Sequence, residues 1–312
     1  MKAVFLDRDS FPSNMQFHYP EGISEVVEYP NTSLDEVAER IQGADIVLTN
    51  KVVLTKDVIE QAHDLKLIQV TATGINNVDA QACKEQGIAL QNVDGYSSIS
   101  VPEHTFALLL ALRRNLVAYI DDVRAGKWGE SSFFCFLDYP IKDLANTKLA
   151  IVGKGIIGNK VAEIAKVFGM QVMFAEHKNA KVVREGYVPF NEAIQQADVL
   201  SLHCPLTETT KDLISTAEFE QMKPDAILLN MGRGGIVNEQ ALIKALTEKR
   251  IMGAGFDVAT QEPMPHHHPL QALTKLPNFL LTPHIAWGSN EAMQKLANIA
   301  MEKIAQFMNP NS

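Results

Sequence analysis

The chain has 312 residues, 46% of them hydrophobic, and a formal net charge of −9 at pH 7. This length allows two domains of ordinary size, and an acidic chain without a basic tract argues against nucleic acid or an anionic membrane as the main partner. The longest apolar run, Phe106 to Leu112, is too short to span a bilayer. Three scattered cysteines indicate a reducing, cytoplasmic setting without a disulfide framework.

Segments typical of strands and helices alternate in the first third of the chain, which predicts an α/β fold with a mostly parallel sheet. The predicted strands are Ala3–Leu6, Asp45–Thr49, Leu67–Thr71 and Ala89–Asn92. The capping-box pattern from Ser33 to Glu36 predicts a helix that buries Val37 and Ile41.

A second capping box, Ser100 to Glu103, predicts the start of a long helix that runs through Arg114 and extends at most to Val123. The segment 126–144 that follows has no clear period and carries five aromatic residues. Exposed aromatic side chains in an irregular segment indicate a subunit contact or a pocket wall. A surface loop packed onto its own core explains the same pattern equally well.

The alternation restarts at Lys148. Six further strands are predicted at Leu149–Val152, Gln171–Ala175, Val199–His203, Ala226–Leu229, Gly253–Asp257 and Phe279–Thr282. Six strands after one glycine-rich turn fit a complete doubly wound dinucleotide-binding sheet. An amphipathic helix is predicted from about Ser289 to Met308, with four apolar residues at helical spacing: Met293, Leu296, Ile299 and Ile304.

The first strand of this second set leads into a G-x-G-x-x-G turn formed by Gly153, Gly155 and Gly158. Glycines let the backbone approach a pyrophosphate, and the N-terminus of the following helix stabilises its charge. Glu176 ends the next predicted strand, where an acidic side chain accepts the ribose hydroxyls and repels a 2′-phosphate. The pattern predicts NAD (NADH) as the cofactor and makes NADP the less favoured alternative, although His177-Lys178 is placed to soften that preference.

Polar side chains follow three of the later predicted strands. Arg233 follows the fourth strand of the second set, Glu262 the fifth and His284 the sixth. Ligands of an open α/β sheet bind outside the carboxyl ends of its strands, so these side chains should share one edge. Arginine binds a carboxylate at two points, histidine transfers protons near neutral pH, and glutamate keeps an imidazole charged and oriented. This is the set of groups that a 2-oxo acid reductase needs.

Taken together, these motifs resemble the D-isomer-specific 2-hydroxyacid dehydrogenase family over nearly the whole chain. The motifs concerned are Thr73 to Asp79, Val101 to His104, the glycine turn, His203 to Thr207, Asn230 to Gly235, Phe256 to Val258, Glu262-Pro263 and Thr282 to Ala286. Within the family, Asn76 to Asp79 and Phe133 to Leu144 are most similar to glycerate dehydrogenases, also called hydroxypyruvate reductases. Two positions depart from the family pattern: Ile156 replaces a frequent Arg or Lys, and Met231-Gly232 replaces the commoner Thr-Ala.

The resemblance implies two Rossmann-like domains. A doubly wound parallel-sheet NAD-binding domain (99–286) would be inserted in a flavodoxin-like substrate domain (1–98 and 287–312). It also implies a homodimer formed through the region from Val101 to Leu144. The implied reaction is the NADH-dependent reduction of a small 2-oxo acid, hydroxypyruvate or glyoxylate, to the D-2-hydroxy acid, and its reverse.

The resemblance also assigns roles to single residues. Arg233 would bind the substrate carboxylate, His284 would deliver the proton, and Glu262 would hydrogen-bond His284 and keep it an imidazolium. The substrate site would also contain Asn50, Thr73 and Gly74. The implied cofactor-binding residues are Val101, Gly153, Gly155, Ile156, Ile157, Gly158, Glu176, Cys204, Pro205, Thr209, Asn230, Met231, Gly232, Asp257 and Gly288.

Other interpretations stay open. A D-lactate-type or other D-2-hydroxyacid dehydrogenase carries the same catalytic groups, and an NAD-sensing regulatory protein of the same family is less favoured for an acidic chain. No metal is predicted, because the run His266-His267-His268 is interpreted as a solvated, proline-flanked loop. His104 and His203 are interpreted as structural residues.

Overall fold

The structure is a computed structural model that describes residues 1–309. The chain divides into two compact units, one formed by Met1–Ser97 with the segment that starts at Gly288, and the other by Ser98–Trp287. The domain boundaries predicted from the sequence differ from these divisions by one residue at each junction. Each unit contains its own parallel sheet.

The first unit is built on five strands that all pair in parallel. The strands are β1 (Lys2–Phe5), β2 (Glu25–Glu28), β3 (Ile46–Thr49), β4 (Leu67–Val70) and β5 (Ala89–Gln91). The helices between them are α1 (Val37–Arg40), α2 (Lys56–Gln61) and α3 (Ala80–Glu85), and a 3₁₀ turn spans Arg8–Ser10. The spatial order β2-β1-β3-β4-β5 is the flavodoxin-like order that the resemblance implied.

Strand β2 is not among the predicted strands of this unit. The strand reads Glu-Val-Val-Glu, lies at the sheet edge and is mostly exposed, so it has no apolar run to mark it. It is a strand because four of its residues pair with β1. The helix predicted at Ser33 begins only at Val37. One half of the predicted capping box is present, since the amide of Ser33 donates to the Glu36 carboxylate at 2.9 Å. Val37 and Ile41 are buried, as predicted.

The second unit contains a six-stranded parallel sheet, and all six strands correspond to predicted segments. The strands are β6 (Lys148–Val152), β7 (Gln171–Ala175), β8 (Val199–Leu202), β9 (Ile227–Asn230), β10 (Gly253–Phe256) and β11 (Phe279–Leu281). The helices are α4 (Ser100–Arg113), α5 (Leu116–Arg124), α6 (Ile156–Val167), α7 (Phe190–Gln196), α8 (Thr216–Gln221) and α9 (Glu239–Thr247), with 3₁₀ turns at Lys127–Glu130 and Pro269–Leu273. The order β11-β10-β9-β8-β6-β7 makes β6 the strand at which the winding reverses.

Side chains alternate between the two faces of this sheet, because successive strand residues point to opposite sides. In β6, Leu149 and Ile151 join one buried apolar cluster, whereas Ala150 and Val152 join the other. Residues of α4 and α6 complete the first cluster, and residues of α7, α8 and α9 complete the second. The sheet is therefore the middle of three layers, as a parallel sheet buried on both faces requires.

The long helix predicted from Ser100 is broken in two. Asn115 adopts the left-handed backbone conformation (φ 48°) between α4 and α5. The predicted capping box is wrong in detail, because Ser100 is the first helical residue and its hydroxyl donates to the Ala286 carbonyl. Beyond its short 3₁₀ turn, the segment 126–144 forms no regular element, and Phe133 and Phe134 are exposed.

The last described helix is α10 (Asn290–Met308). Ser289 caps it by accepting a hydrogen bond from the Ala292 amide at 3.1 Å. Met293, Leu296 and Ile304 are buried, as the predicted apolar face requires, whereas Ile299 is partly buried. Within residues 1–309, no helix combines the length and apolar character needed to cross a membrane.

Candidate functional site

The strand ends of the second unit bring the predicted catalytic residues to one edge of its sheet. Strands β9, β10 and β11 are neighbours and run parallel, so their carboxyl ends lie side by side. Arg233 follows β9, Asp257 follows β10 directly, and His284 follows β11. This edge is where ligands of open α/β sheets bind.

His284 and Glu262 form a hydrogen-bonded pair at this edge. Nδ1 of His284 lies 2.6 Å from Oε2 of Glu262, and Oε1 of Glu262 accepts a hydrogen bond from the Ala259 amide at 2.9 Å. The carboxylate fixes the orientation of the ring. Because Nδ1 is engaged, Nε2 is the ring nitrogen that remains to exchange a proton with a reacting group.

The buried carboxylate of Asp257 organises the loop that carries His284. Its Oδ1 accepts from the Ile285 amide at 2.9 Å and from the Thr282 hydroxyl at 2.5 Å, and its Oδ2 accepts from the Ala286 amide at 2.8 Å. His284 has a left-handed backbone (φ 55°), which a residue with a side chain adopts at a cost. Hydrogen bonds on both sides of the residue hold it there. Asp257 is therefore a positioning group for His284, besides its predicted contact with the cofactor.

Arg233 lies in a tight turn after β9. The side chain of Asn230 closes this turn, since Nδ2 donates to the Arg233 carbonyl at 3.0 Å and Oδ1 accepts from the Gly232 amide at 3.1 Å. The half-buried guanidinium donates to the Gly232 carbonyl at 2.8 Å. Among residues 1–309 it has no ion-pair partner, so its charge is available to an anionic ligand.

Gly234 joins the Arg233 turn to the loop that carries Glu262. A Cβ atom on Gly234 would collide with the carbonyl group of Ala259, so only glycine allows these two backbone segments to approach so closely. The amide of Ala259 in turn donates to Glu262. The arginine and the glutamate therefore lie on two backbone segments in direct contact.

The glycine turn lies where the winding of the sheet reverses. A Cβ atom on Gly153 (φ 104°) would stand 2.6 Å from the carbonyl oxygen of His203, which follows β8. A Cβ atom on Gly158 would collide with the carbonyl of Gly153. In contrast, a Cβ atom on Gly155, the N-cap of α6, would meet no atom within 4 Å. The turn therefore presents open backbone at a helix N-terminus, which fits the pyrophosphate of a dinucleotide.

Glu176 lies just after β7, but its carboxylate is engaged by protein groups. Arg184 donates from Nε to Oε2 at 2.8 Å and from Nη2 to Oε1 at 2.6 Å, and the amides of His177 and Arg184 donate to the same oxygens at 2.8 and 3.0 Å. The hydrogen bond from Arg184 lowers the pKa of the Glu176 carboxyl to about 2. Arg184 is not among the predicted site residues, because it lies in an irregular segment that contains no recognisable motif.

The other predicted cofactor residues differ in exposure. Buried side chains are those of Val101, Cys204 and Met231. Exposed residues are Ile156, Pro205 and Thr209, and Ile157 is partly buried. Burial raises the pKa of the Cys204 thiol to about 11, which fits a packing role. Gly288 belongs to the first unit, so the division of the chain separates it from the rest of this set.

In the first unit, the predicted substrate residues follow β3 and β4. Asn50 comes directly after β3, and Thr73-Gly74 follows β4 at the same sheet edge. Asp7 is not among the predicted site residues, yet its buried carboxylate accepts hydrogen bonds from the amides of Asn50 and Lys51 at 2.8 and 2.7 Å. An acidic residue directly after a buried first strand was the available signal. The substrate-binding roles of Asn50, Thr73 and Gly74 stay predictions.

One residue of the run His266-His267-His268 is buried, contrary to the prediction. His268 is 5% exposed, and its Nε2 lies 3.0 Å from Thr260 Oγ1 and 3.4 Å from Glu239 Oε2. The interpretation of the run as a solvated loop is therefore wrong for His268, although His266 and His267 are exposed. Among the described residues, no group of three or more His, Cys, Asp or Glu side chains is arranged to hold a metal ion.

The two histidines interpreted as structural have structural contacts. Nε2 of His104 lies 2.9 Å from the Thr282 hydroxyl oxygen, behind Asp257. Nε2 of His203 lies 2.8 Å from the Ser201 hydroxyl oxygen.

The chain is similar to known proteins in sequence and in structure. The family model described as "D-isomer specific 2-hydroxyacid dehydrogenase, NAD binding domain" matches residues 106–286. A glycerate dehydrogenase of Methylorubrum extorquens is 43% identical over 309 residues, which cover 98% of this chain and 96% of that protein. A hydroxypyruvate reductase of Blautia hydrogenotrophica is 35% identical over 315 residues, which cover 99% of this chain and 97% of that protein. The crystal structure of a Thermus thermophilus protein, TT0316, is similar with a TM-score of 0.84 and 30% identity, covering 99% of this chain and 97% of that one.

Proposed function

Because the chain belongs to the family of D-isomer specific 2-hydroxyacid dehydrogenases, which are NAD-dependent oxidoreductases, we propose that its substrate is a small 2-oxo acid, hydroxypyruvate or glyoxylate. The product is the D-2-hydroxy acid, and the reaction also runs in reverse. The observation that carries the proposal is the hydrogen bond between His284 and Glu262 at the sheet edge that also carries Arg233. The names of the glycerate dehydrogenase and hydroxypyruvate reductase relatives support the substrate class.

Each group at this edge has a role in the proposed reaction. Arg233 binds the substrate carboxylate through its planar guanidinium. Nε2 of His284 holds the proton that passes to the carbonyl oxygen as that oxygen gains negative charge. Glu262 orients the ring and compensates its charge before the transfer. Bound NADH supplies the hydride, and the open backbone at Gly155 with the N-terminus of α6 would hold its pyrophosphate.

The proposed preference within the substrate class is for hydroxypyruvate over pyruvate. The support is the polar turn at Asn50, which follows β3 and whose backbone amides, those of Asn50 and Lys51, donate to the Asp7 carboxylate. A site built to pair a hydroxyl group penalises a substrate that lacks it.

The direct test is NADH oxidation with hydroxypyruvate, glyoxylate, pyruvate and phenylpyruvate, followed by chiral analysis of the product. We expect the highest kcat/KM with hydroxypyruvate or glyoxylate and a D product. An L product, or no turnover with any of the four acids, would contradict the proposed function. A preference for pyruvate or phenylpyruvate would leave the reaction type standing and remove the substrate assignment.

We also propose that the chain forms a homodimer through the region from Val101 to Leu144. The support is a set of exposed apolar side chains in this region: Trp128 (55% exposed), Phe133 (78%), Phe134 (89%) and Leu137 (73%). Contiguous exposed apolar surface is typical of protein contacts. Light scattering coupled to size exclusion should give twice the 34.5 kDa chain mass, and Phe134→Asp should shift it toward the monomer.

A cytoplasmic location is proposed from the cysteines. Cys83, Cys135 and Cys204 are all free thiols, which fits a reducing compartment. Fractionation of cells that express the tagged chain from its own gene tests this location, and recovery in a membrane or secreted fraction would contradict it.

A further inference from the structure

The acidic residue after β7 does not present a free carboxylate. Glu176 is 2% exposed, and its two oxygens accept two hydrogen bonds from the Arg184 side chain and two from backbone amides. A carboxylate that discriminates against a 2′-phosphate does so by its unpaired negative charge. Here that charge is compensated at contact distance, so the repulsion of a phosphate is weakened.

The guanidinium that covers Glu176 is itself accessible. The Arg184 side chain is 52% exposed and lies over the ring of Tyr187, with 4.1 Å between the guanidinium carbon and the ring centroid. Arginine has five N–H donors, and only Nε and one N–H of Nη2 are needed for the observed contacts with Glu176. The remaining donors can bind a second anion while the ion pair with Glu176 persists.

A second cation approaches the same aromatic ring. The ammonium of Lys154, the residue after Gly153, lies 4.9 Å from the ring centroids of both Tyr187 and Phe174. Among residues 1–309, Lys154 forms no ion pair, so its charge is not compensated by a carboxylate. Lys178, by contrast, is paired with Glu218 at 2.8 Å and is not available.

We propose that Arg184 and Lys154 form a phosphomonoester site at the adenosine end of the cofactor, so that the chain binds NADPH as well as NADH. The local charge supports this, since Arg184 and Lys154 together outweigh Glu176 by one positive unit. The location supports it too, because Lys154 lies inside the glycine turn and Glu176 follows the next strand, which is where the adenosine ribose of a dinucleotide is bound in this fold. The proposal rests on the cofactor assignment of the family and not on the identity of the 2-oxo acid.

The competing explanation is a purely structural ion pair. Arg184 also ties the segment 177–187 to the sheet edge, because its backbone amide donates to Glu176 and the Val188 amide donates to Phe174. If the ion pair were purely structural, removing Arg184 would change the binding of all adenosine ligands to the same extent. If Arg184 belonged to a phosphate site, removing it would weaken the binding only of ligands that carry the 2′-phosphate.

The test uses two ligand fragments that lack the nicotinamide, so it does not depend on turnover. Isothermal titration of the full chain with 2′,5′-ADP and with 5′-ADP gives two dissociation constants for each variant. In the wild type we expect 2′,5′-ADP to bind at least as tightly as 5′-ADP. Arg184→Ala should raise the ratio of the dissociation constant of 2′,5′-ADP to that of 5′-ADP by fivefold or more. Lys154→Ala should change this ratio in the same direction. Lys181→Ala, in the same exposed segment, is the matched control.

Two results would overturn the proposal. One is a wild-type chain that binds 5′-ADP more tightly than 2′,5′-ADP. The other is a ratio of dissociation constants that changes less than fivefold in both Arg184→Ala and Lys154→Ala. If Arg184→Ala fails to fold, Lys154→Ala decides alone, because its side chain forms no ion pair within the described part of the chain. A failure of the substrate assignment would instead appear only in the 2-oxo acid assays, with fragment binding unchanged.

Discussion

Gly234 and Ala259 are in backbone contact so close that a single added carbon on the glycine would collide with the alanine carbonyl. This contact holds the Arg233 turn against the loop whose amide fixes Glu262. The spacing between Arg233, the proposed carboxylate-binding group, and the His284–Glu262 pair therefore depends on Gly234.

Replacing Gly234 with alanine should separate the two segments. Inserting a carbon into a packed contact costs about 1–3 kcal/mol of unfolding free energy, and we expect kcat/KM to fall by more than tenfold because the Arg233 and Glu262 segments move apart. Urea unfolding and steady-state kinetics measure both effects. Gly129→Ala is the matched control, since a Cβ atom there meets nothing within 4 Å. Equal behaviour of the two variants would show that the contact is not tight.

His284→Ala should remove proton delivery and leave cofactor binding intact. General acid catalysis contributes roughly 10²- to 10⁴-fold, so kcat for 2-oxo acid reduction should fall by about that factor. The dissociation constant of NADH, followed by fluorescence, should stay within about twofold. His267→Ala, an exposed histidine in the second unit, should have no effect on either quantity. A kcat for His284→Ala close to the wild-type value would remove His284 from the mechanism.

Arg233→Lys tests whether the planar guanidinium matters beyond its charge. Lysine keeps the charge but loses the two-point geometry, and it cannot reproduce the fork that binds a carboxylate. We expect KM for the 2-oxo acid to rise and kcat to fall, with a combined loss of at least tenfold in kcat/KM. The exposed Arg124→Lys serves as the control for a surface exchange. Full activity of Arg233→Lys would mean that another group binds the carboxylate.

His203 should make the fold sensitive to mild acid. Burial lowers the pKa of His203 to about 4, whereas an unfolded histidine titrates near 6.5. As the pH falls below 6.5 the unfolded chain takes up the proton first, so stability is lost between pH 6.5 and 4. The loss between pH 7 and pH 5 should be on the order of 1–2 kcal/mol.

Urea unfolding at the two pH values, in the wild type and in His203→Gln, isolates this contribution. Glutamine can keep the hydrogen bond with Ser201 but does not titrate, so the difference between pH 7 and pH 5 should shrink. The His63→Gln exchange, outside the second unit, should leave the difference unchanged. An undiminished loss in His203→Gln would assign the acid sensitivity to other groups.

The strands of the second unit are easier to predict from the sequence than those of the first unit. The strands of its sheet are buried on both faces, so β6 and β9 appear as continuous apolar runs bounded by polar turns. Strand β2 lacks this signal, because an edge strand is stabilised by pairing with β1 and not by its own composition. The break at Asn115 was also unpredictable, since apolar residues continue at helical spacing across it.

The positions of Arg233, Glu262 and His284 at one sheet edge were predictable, because each residue follows a strand end and belongs to an ordered motif. The contacts of Arg184 and Asp7 were not predictable, because each residue contacts a segment that comes close to it only in the folded chain. Arg184 reaches back to Glu176 from an irregular segment, and Asp7 reaches across the sheet to the turn at Asn50. The burial of His268 has the same origin, since Glu239 and Thr260 approach it from other loops.

Because of the left-handed backbone at His284, selection for stability and selection for activity favour different residues at this position. Glycine adopts this conformation without the steric cost that a residue with a side chain incurs, which is about 1–2 kcal/mol. Screening for thermal resistance alone would therefore favour glycine at position 284 if this gain exceeds the loss of the hydrogen bond with Glu262, although His284 is the residue proposed to deliver the proton. A stabilised variant library built on this chain would have to hold position 284 fixed, and a relative that carries glycine there would be a candidate for a protein that keeps the fold and has abandoned the reaction.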